Sequence, residues 1–526
     1  TMKKNQHIFW IFLLIFPLFS NSQDLISPQQ INLSDYQKDY GFNLESDTYQ
    51  SLIIHLHLVV ENNTNFINGE FVSLQLTKNS KDLNAEIARL YLPQIIEKNQ
   101  KIDYEFDVTL WQSWMKGESE ISIVSNTIIH ELQFELQIIA IEGLSPILVK
   151  EIIPLWKSGT DGFNYNQDGI SDELLPEKTI QLPENTKYGF VQIMVSGKQE
   201  KDDVSARFYF LKVNGEDQAK RSIWRDDCGL NPIYPQLENW HLERPNWCPG
   251  LRVHPLRHFL SDSQLNKKEI NIGLDFQKDY LEKSGIESYI TSAVLFILEE
   301  PTNELNVSIS EILAPNEDFW HQRYNPICGS PVILIQNLGK SAVNEITINY
   351  GYNYQTDNKF RWRGELGFME EELVYLPPLN WYFFEQDDEP ETFTAHISAV
   401  DGKEKAFLFG KKTSQMRLAE VYPYRLTFEL KTDEGAAFNG LEIFDDDGNA
   451  YFVSGDLKAD TTYQFDVNLI PGCYEMVLFD LIGDGIKLKD VENVVLKIKD
   501  QKKKIELKRF DGDFGGEIRE QFMIFR

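Results

Sequence analysis

Apolar residues recur at every second position through one short segment after another of this chain, at 51–60, 70–76, 121–124, 133–141 and 207–213. A period of two sets one face of an extended segment against a core and the other toward solvent, which a helix with its period of about 3.6 does not do. These segments are rich in Val, Ile, Phe and Tyr, and clusters of Asn, Gly, Asp and Pro separate them. That is the pattern of antiparallel sandwiches. Few stretches hold a helical period over three turns, so the expected fold class is all-β.

The 526 residues exceed what one core organises, and ordinary domain sizes give three or four units. Residues 1–22 read as a secretory leader, with Lys3 and Lys4, an apolar run over 8–19, and the small residues Ser20-Asn21-Ser22 before Gln23. The expected units are 23–146, 147–314, 315–422 and 423–526. No later segment is apolar for long enough to span a membrane as a helix. The net charge of −30 repels phosphate backbones, which excludes nucleic acid as a partner.

Asp227-Cys228-Gly229-Leu230-Asn231-Pro232, Asn239-Trp240 and Asn246-Trp247-Cys248-Pro249-Gly250 form an irregular segment with neither period. Such a segment makes few ladder hydrogen bonds and needs a staple. A disulfide closing a loop of this length contributes roughly 3 kcal/mol. An exported chain meets an oxidising compartment, so Cys228 and Cys248 are expected to pair. The other two cysteines, Cys328 and Cys473, fall in different expected units, and their state is left open between free and paired.

The same loop resembles the disulfide-closed loop of the peptide-N-glycosidase F family, bacterial amidases that remove N-linked glycans from asparagine. The likeness continues through Ile180-Gln181-Leu182-Pro183-Glu184-Asn185-Thr186 and Val195-Ser196-Gly197, down to about 298 and back to about 50. It implies two jelly-roll sandwiches side by side, an architecture shared with peptidylglycine monooxygenases. Pro326-Ile327-Cys328-Gly329-Ser330-Pro331 and the strands after it are similar to immunoglobulin-like modules. Phe444-Asp445-Asp446-Asp447-Gly448 and Asp480-Leu481-Ile482-Gly483-Asp484-Gly485 are similar to β-sandwich modules at the C-termini of secreted peptidases.

In the amidase family one carboxylate activates water against the asparagine side-chain amide and two others position the first sugar. Carried over along the flanking strands, the base falls at Glu70, with Gly69 as the alternative register. The second acid falls at Asp203, and the third position is Asn126, which is not acidic. Flanking cysteines of the family are missing here. Two readings therefore stand: an amide hydrolase acting on N-linked glycans of glycoproteins, or a glycan- or protein-binding derivative, including a subunit of a cell-surface assembly.

Within the loop, Trp240, Trp247 and Tyr234 offer aromatic faces for sugar rings, and Asn231, Asn239 and Arg252 offer hydrogen bonds to hydroxyls; the alternative is that the tryptophans pack beneath the loop. His55 and His57 share a strand face, as metal ligands or simply as solvated residues. No cofactor is expected unless Asn164, Asn166, Asp168 and Asp172 take calcium, since they carry oxygens at alternate positions with Gly169 at the turn. Position twelve of that loop is Leu175 rather than a bidentate acid, which equally suits a plain connection. Motifs of the GxSxG, Walker and HExxH types are absent.

Overall fold

The alternating segments become strands because each buries its apolar set against a second sheet, and four such sheet pairs follow along the chain. The computed structural model describes residues 22–32, 37–44, 49–60, 64–66, 69–78, 83–96, 100–127, 132–166, 168–198, 208–237, 239–278, 287–353, 355–379, 391–405, 407, 409–489 and 493–525. The expected leader lies outside the described residues except for Ser22, as does Asp203. Among the described residues helix is confined to short pieces such as Gln112–Met115, Asp262–Leu265 and the 3-10 segment Phe319–Tyr324, and no described helix is long and apolar enough to cross a membrane. The chain is all-β.

In the first sandwich one sheet runs Ser22–Asn32, Leu132–Glu142, Tyr49–Val60, Lys101–Asp107, and the other Gln37–Leu44, Gly117–Ser125, Phe71–Lys78, Asn84–Tyr91. Leu52, Ile54, Leu56 and Leu58 from one sheet meet Leu74, Leu76, Ile121 and Ile123 from the other in one core. The second sandwich sets the sheet around Glu287–Leu298, Tyr188–Lys198 and Val149–Lys157 against the sheet of Lys178–Gln181, Glu269–Phe276, Phe208–Val213 and Glu216–Ser222.

The third sandwich pairs Val307–Ala314, Val332–Asn337 and Glu371–Tyr375 in one sheet, facing Gln355–Leu366, Val343–Tyr352, Glu391–Val400 and Lys411–Met416. This moves a boundary. Val307–Ala314, expected at the end of the second unit, pairs with Val332–Asn337 and belongs to the third. The fourth sandwich faces the sheet of Glu420–Tyr422, Glu517–Ile524, Gly472–Asp480, Asn439–Asp445 and Ala450–Val453 against Thr462–Asn468, Arg425–Lys431, Val494–Asp500 and Glu506–Asp511.

Both pairs of cysteines are disulfides. Cys228–Cys248 closes the loop as expected, with Cα atoms 5.4 Å apart. Cys328 and Cys473 are not free: they bond across 145 residues and tie the third sandwich to the fourth. Sequence spacing left this open because the pairing depends on how two separate cores dock.

Candidate functional site

Two of the positions that the resemblance points to, Glu70 and Asn126, lie at one corner of the first sandwich, while the third, Asp203, is outside the described residues. Gly69 turns the chain into strand Phe71–Lys78 with φ of +89°, a conformation that a side chain would strain. The carboxylate at this corner is therefore that of Glu70, which is half-buried, and its carbonyl accepts from Leu92 N at 2.8 Å. Strand Gly117–Ser125 runs beside Phe71–Lys78, with Ser125 opposite Val72, so Asn126 at its end reaches the same corner. Asn126 Oδ1 accepts from Phe71 N at 2.8 Å, and Asn126 Nδ2 donates to Gly69 O at 3.1 Å. Both ends of the amide thus hold the turn that carries Glu70.

Beneath the corner lies the seam between the first two sandwiches. Phe71, Tyr91, Met194, Trp247, Val253 and Ile290 form a separate buried cluster there, drawn from both sandwiches and from the disulfide loop. A Cβ on Gly69 would stand 4.0 Å from the Trp247 ring. Trp247 Nε1 donates to Gly197 O at 2.9 Å. That anchor sits just before the end of strand Tyr188–Lys198, from which the connection to Asp203 departs.

Trp247 is not a stacking platform for sugars. It is 2% exposed; the Tyr91 ring stacks on it at 4.2 Å, and the Arg244 guanidinium lies 4.7 Å from its centroid. The loop's own apolar content draws it inward, where it buries far more area than a surface contact offers. Burial also pushes the Tyr91 phenol up to about 12, so it stays protonated and donates to Ser196 Oγ at 2.8 Å.

The seam holds a charge pair that the period-two reading missed. Arg89 Nε donates to Glu86 Oε1 at 2.8 Å and Nη2 to Glu86 Oε2 at 2.5 Å, while Nη1 reaches Ser196 Oγ at 2.7 Å and Ile290 O at 2.9 Å. Ser73 and Ser292 complete the Glu86 carboxylate at 2.8 and 2.6 Å. Residues three apart on a regular strand point to opposite faces. Here Leu74 pairs with Ala88 and Gln75 with Glu86, so Ile87 is an extra residue, and this bulge returns Glu86 and Arg89 to one side. The run Ala85-Glu86-Ile87-Ala88-Arg89-Leu90, with opposite charges in an otherwise apolar strand, was the available signal.

Other loop residues are also structural. Asn231 is buried, donating to Pro249 O at 2.6 Å and accepting from Ile233 N at 2.9 Å, so it shapes the loop instead of reaching a hydroxyl. Trp240 is 2% exposed and lies under the fourth sandwich, its Nε1 3.4 Å from Asp513 Oδ1. At Gly515 a Cβ would sit 2.7 Å from the Trp240 ring and 2.3 Å from Gly229 O, so only glycine lets these backbones meet. Arg323 closes the contact, donating to Asn231 O at 2.7 Å and to Phe514 O and Glu517 O at 2.9 Å each, with its guanidinium 3.9 Å from the Tyr234 centroid. Arg252 points away from Glu70, bonding the Glu105 carbonyl at the far sheet of the first sandwich. Asn239 and Tyr234 remain exposed.

His55 and His57 do share a face of Tyr49–Val60, each paired with a carboxylate of the adjoining strand, Glu105 and Asp103. The segment considered for calcium forms a hairpin in which Tyr165 pairs with Ile170 and Asn166 with Gly169. Asn164, Asp168 and Asp172 are exposed along it. Among the described residues no group of three or more His, Cys, Asp or Glu is placed to hold a metal ion.

No protein-family model matches the chain. The peptide-N(4)-(N-acetyl-β-D-glucosaminyl)asparagine amidase F of Elizabethkingia miricola is 26% identical over 188 residues, covering 33% of this chain and 52% of the relative. The chain thus spans about half the length of that relative, and over that part the two are homologous. Among solved structures, a crystal structure of the same kind of amidase aligns with a TM-score of 0.46 and 19% identity, over 53% of this chain and 96% of the other. PNGF-II aligns with a TM-score of 0.42 and 14% identity, over 53% and 64% of the two chains.

Proposed function

We propose that this protein is an exported amide hydrolase acting on N-linked glycans of glycoproteins, with Glu70 as the base that activates water. The observation that carries this reading is the corner itself: a carboxylate on a turn fixed from one side by Asn126 and floored by the buried Trp247 seam. Fixing matters because a carboxylate displaced by about 1 Å can lose 100-fold in rate. Glu70 would take a proton from water as its oxygen attacks the side-chain carbonyl carbon of a glycosylated asparagine. Glu70 passes that proton to the departing nitrogen as the carbon–nitrogen bond breaks, leaving aspartate in the peptide and a glycosylamine, and the base is regenerated. Asp203, on the connection that leaves the strand beside Gly197, is assigned to the first sugar. Export is supported by the two disulfides together with the leader-like run at 1–22.

One observation favours a second reading, a glycan-binding derivative without turnover. At the third family position Asn126 has both amide groups engaged by backbone, so it supplies no carboxylate to a sugar. Incubation of the full chain with a denatured N-glycoprotein separates the two. Glycan release with conversion of asparagine to aspartate, lost by at least about 100-fold in Glu70→Gln, is the outcome for the hydrolase. Glycan binding without release by the native chain assigns the derivative.

A further inference from the structure

The C-terminal half encloses a cleft of about 1150 Å³ between the third and fourth sandwiches. One wall is the outer face of the sheet containing Val332–Asn337 and Glu371–Tyr375, and the other is the outer face of the sheet containing Asn439–Asp445, Gly472–Asp480 and Glu517–Ile524. Leu373 and Tyr375 stand out from the first wall because Val374 between them is buried in the core. Phe444, Val477 and Phe479 line the second.

The walls are held in place. Cys473 lies in the cleft lining, and its bond to Cys328 ties the two sandwiches there. Cys328 N and Gly329 N both donate to Gln521 Oε1, at 2.9 and 3.0 Å. The space is therefore preformed instead of waiting on domain closure. Among its lining residues Leu481 is 75% exposed, Tyr375 66% and Leu373 45%, so both walls keep apolar side chains accessible.

Charge in the cleft is one-sided. Five carboxylates line it, Glu442, Asp445, Asp446, Glu475 and Glu517, against the single guanidinium of Arg519. Arg519 already bonds Glu475 at 3.0 Å and Glu517 at 2.6 Å, so the surplus negative charge concentrates toward Glu442, Asp445 and Asp446. An uncharged wall facing one that carries five carboxylates, in a space larger than ordinary small-ligand pockets, suits a chain segment that carries both kinds of group.

We propose that this cleft binds an extended polypeptide segment of a partner protein in which lysine or arginine alternates with apolar side chains. The alternation follows from strand geometry: successive side chains of an extended segment point to opposite sides, one set to the third-sandwich wall, whose lining carries no charge, and the other to the fourth-sandwich wall, which carries all five carboxylates. A second copy of this chain fits poorly, since its net charge of −30 repels its like. Neutral glycans have no use for the charge. This inference stands apart from the Glu70 site and does not depend on amidase activity.

The test uses the full, disulfide-intact chain and a short fluorescent peptide alternating lysine with phenylalanine, followed by anisotropy at low and physiological ionic strength. Its counterpart with glutamate for lysine and a neutral chitin oligosaccharide serve as competitors. Binding of the lysine peptide should weaken roughly tenfold in Glu442→Lys/Asp446→Lys and in Tyr375→Ala. The matched charge change Glu216→Lys/Asp217→Lys, on an exposed hairpin of the second sandwich, should alter it less than about twofold. Equal loss in both charge variants would mean unspecific attraction and overturn the proposal. So would no binding, stronger binding of the oligosaccharide, or self-association of the chain abolished by the cleft variants.

Discussion

The seam between the first two sandwiches is buried and keeps its charges inside, whereas the junction between the last two is tied by a covalent bond and leaves a cleft. In the seam, Glu86 and Arg89 satisfy one another and are enclosed by Ser73, Ser196, Ser292 and the Ile290 carbonyl. Taking such a pair out of water costs several kcal/mol per ion, so it gives little net stability, but its hydrogen bonds accept one geometry only. At the other junction a disulfide sets the distance, and no dry packing is needed to keep the walls apart. The seam is specified by directional bonds, and the cleft is stapled at one edge.

The sharpest way to break that contrast is to unpair the seam. Arg89→Met leaves the Glu86 carboxylate buried without its partner and should destabilise the first two sandwiches by about 3–5 kcal/mol in denaturant unfolding. Arg89→Met combined with Glu86→Leu should recover much of that stability, because the desolvation cost leaves with the charges. Amidase activity, if set by seam geometry, should not recover in parallel. At the other junction Cys328→Ser/Cys473→Ser should cost about 2–4 kcal/mol. It should loosen the hold on the lysine peptide while leaving glycan release unchanged.

Much of this organisation was legible from residue order, and what was not has a common cause. Alternation in 51–60 or 133–141 reports which face is apolar, and that alone gives sheets. It does not report which sheet a strand joins, so 307–314 reads as a strand and only its pairing with Val332–Asn337 assigns it to the third sandwich. A bulge is one residue of excess, and the excess at Ile87 hid the Glu86–Arg89 pair from a strict period of two. For the loop, residue type identified the disulfide but not the direction of its rings. Trp240 and Trp247 look alike in sequence, yet one is buried by Tyr91 and the other by Asp513 and Gly515, far along the chain. Glu70 and Asn126 meet at one turn, which the Asn126 amide holds through Phe71 N and Gly69 O, a contact that residue type alone does not report.

Mild acid should weaken the second sandwich through a buried histidine. His258 is buried in the second sandwich, with Nε2 2.5 Å from the Tyr209 hydroxyl, and burial lowers it from 6.5 to about 4. The unfolded chain therefore binds this proton first. Its contribution is complete above about pH 6.5 and is lost as pH falls toward 4, reaching roughly 2 kcal/mol at pH 5. In the fourth sandwich burial instead raises Asp480 and Glu520. Their folded forms take up protons more readily than the unfolded chain, so falling pH relieves them. Hydrogen exchange at pH 7 and 5, corrected for intrinsic rates, should show protection lost in 188–198 and 256–259 and kept in 472–480 and 517–524. His258→Gln should flatten the first change.

The smallest expected effect bears most directly on function. Asn126 meets an N–H donor from Phe71 on one side and the carbonyl of Gly69 on the other, and only an amide oriented with oxygen toward Phe71 satisfies both. Asn126→Ala should cost about 1 kcal/mol and release the turn that carries Glu70. Asn126→Asp is the more telling change, because it restores a carboxylate at the family's third acidic position. Its oxygen still accepts from Phe71 N, but the second oxygen faces the Gly69 carbonyl, where a donor stood. If the turn governs Glu70, Asn126→Asp should lose glycan release about as much as Asn126→Ala. If instead the variant gains release over the native chain, the missing acid was the limiting group and the corner is already well enough held.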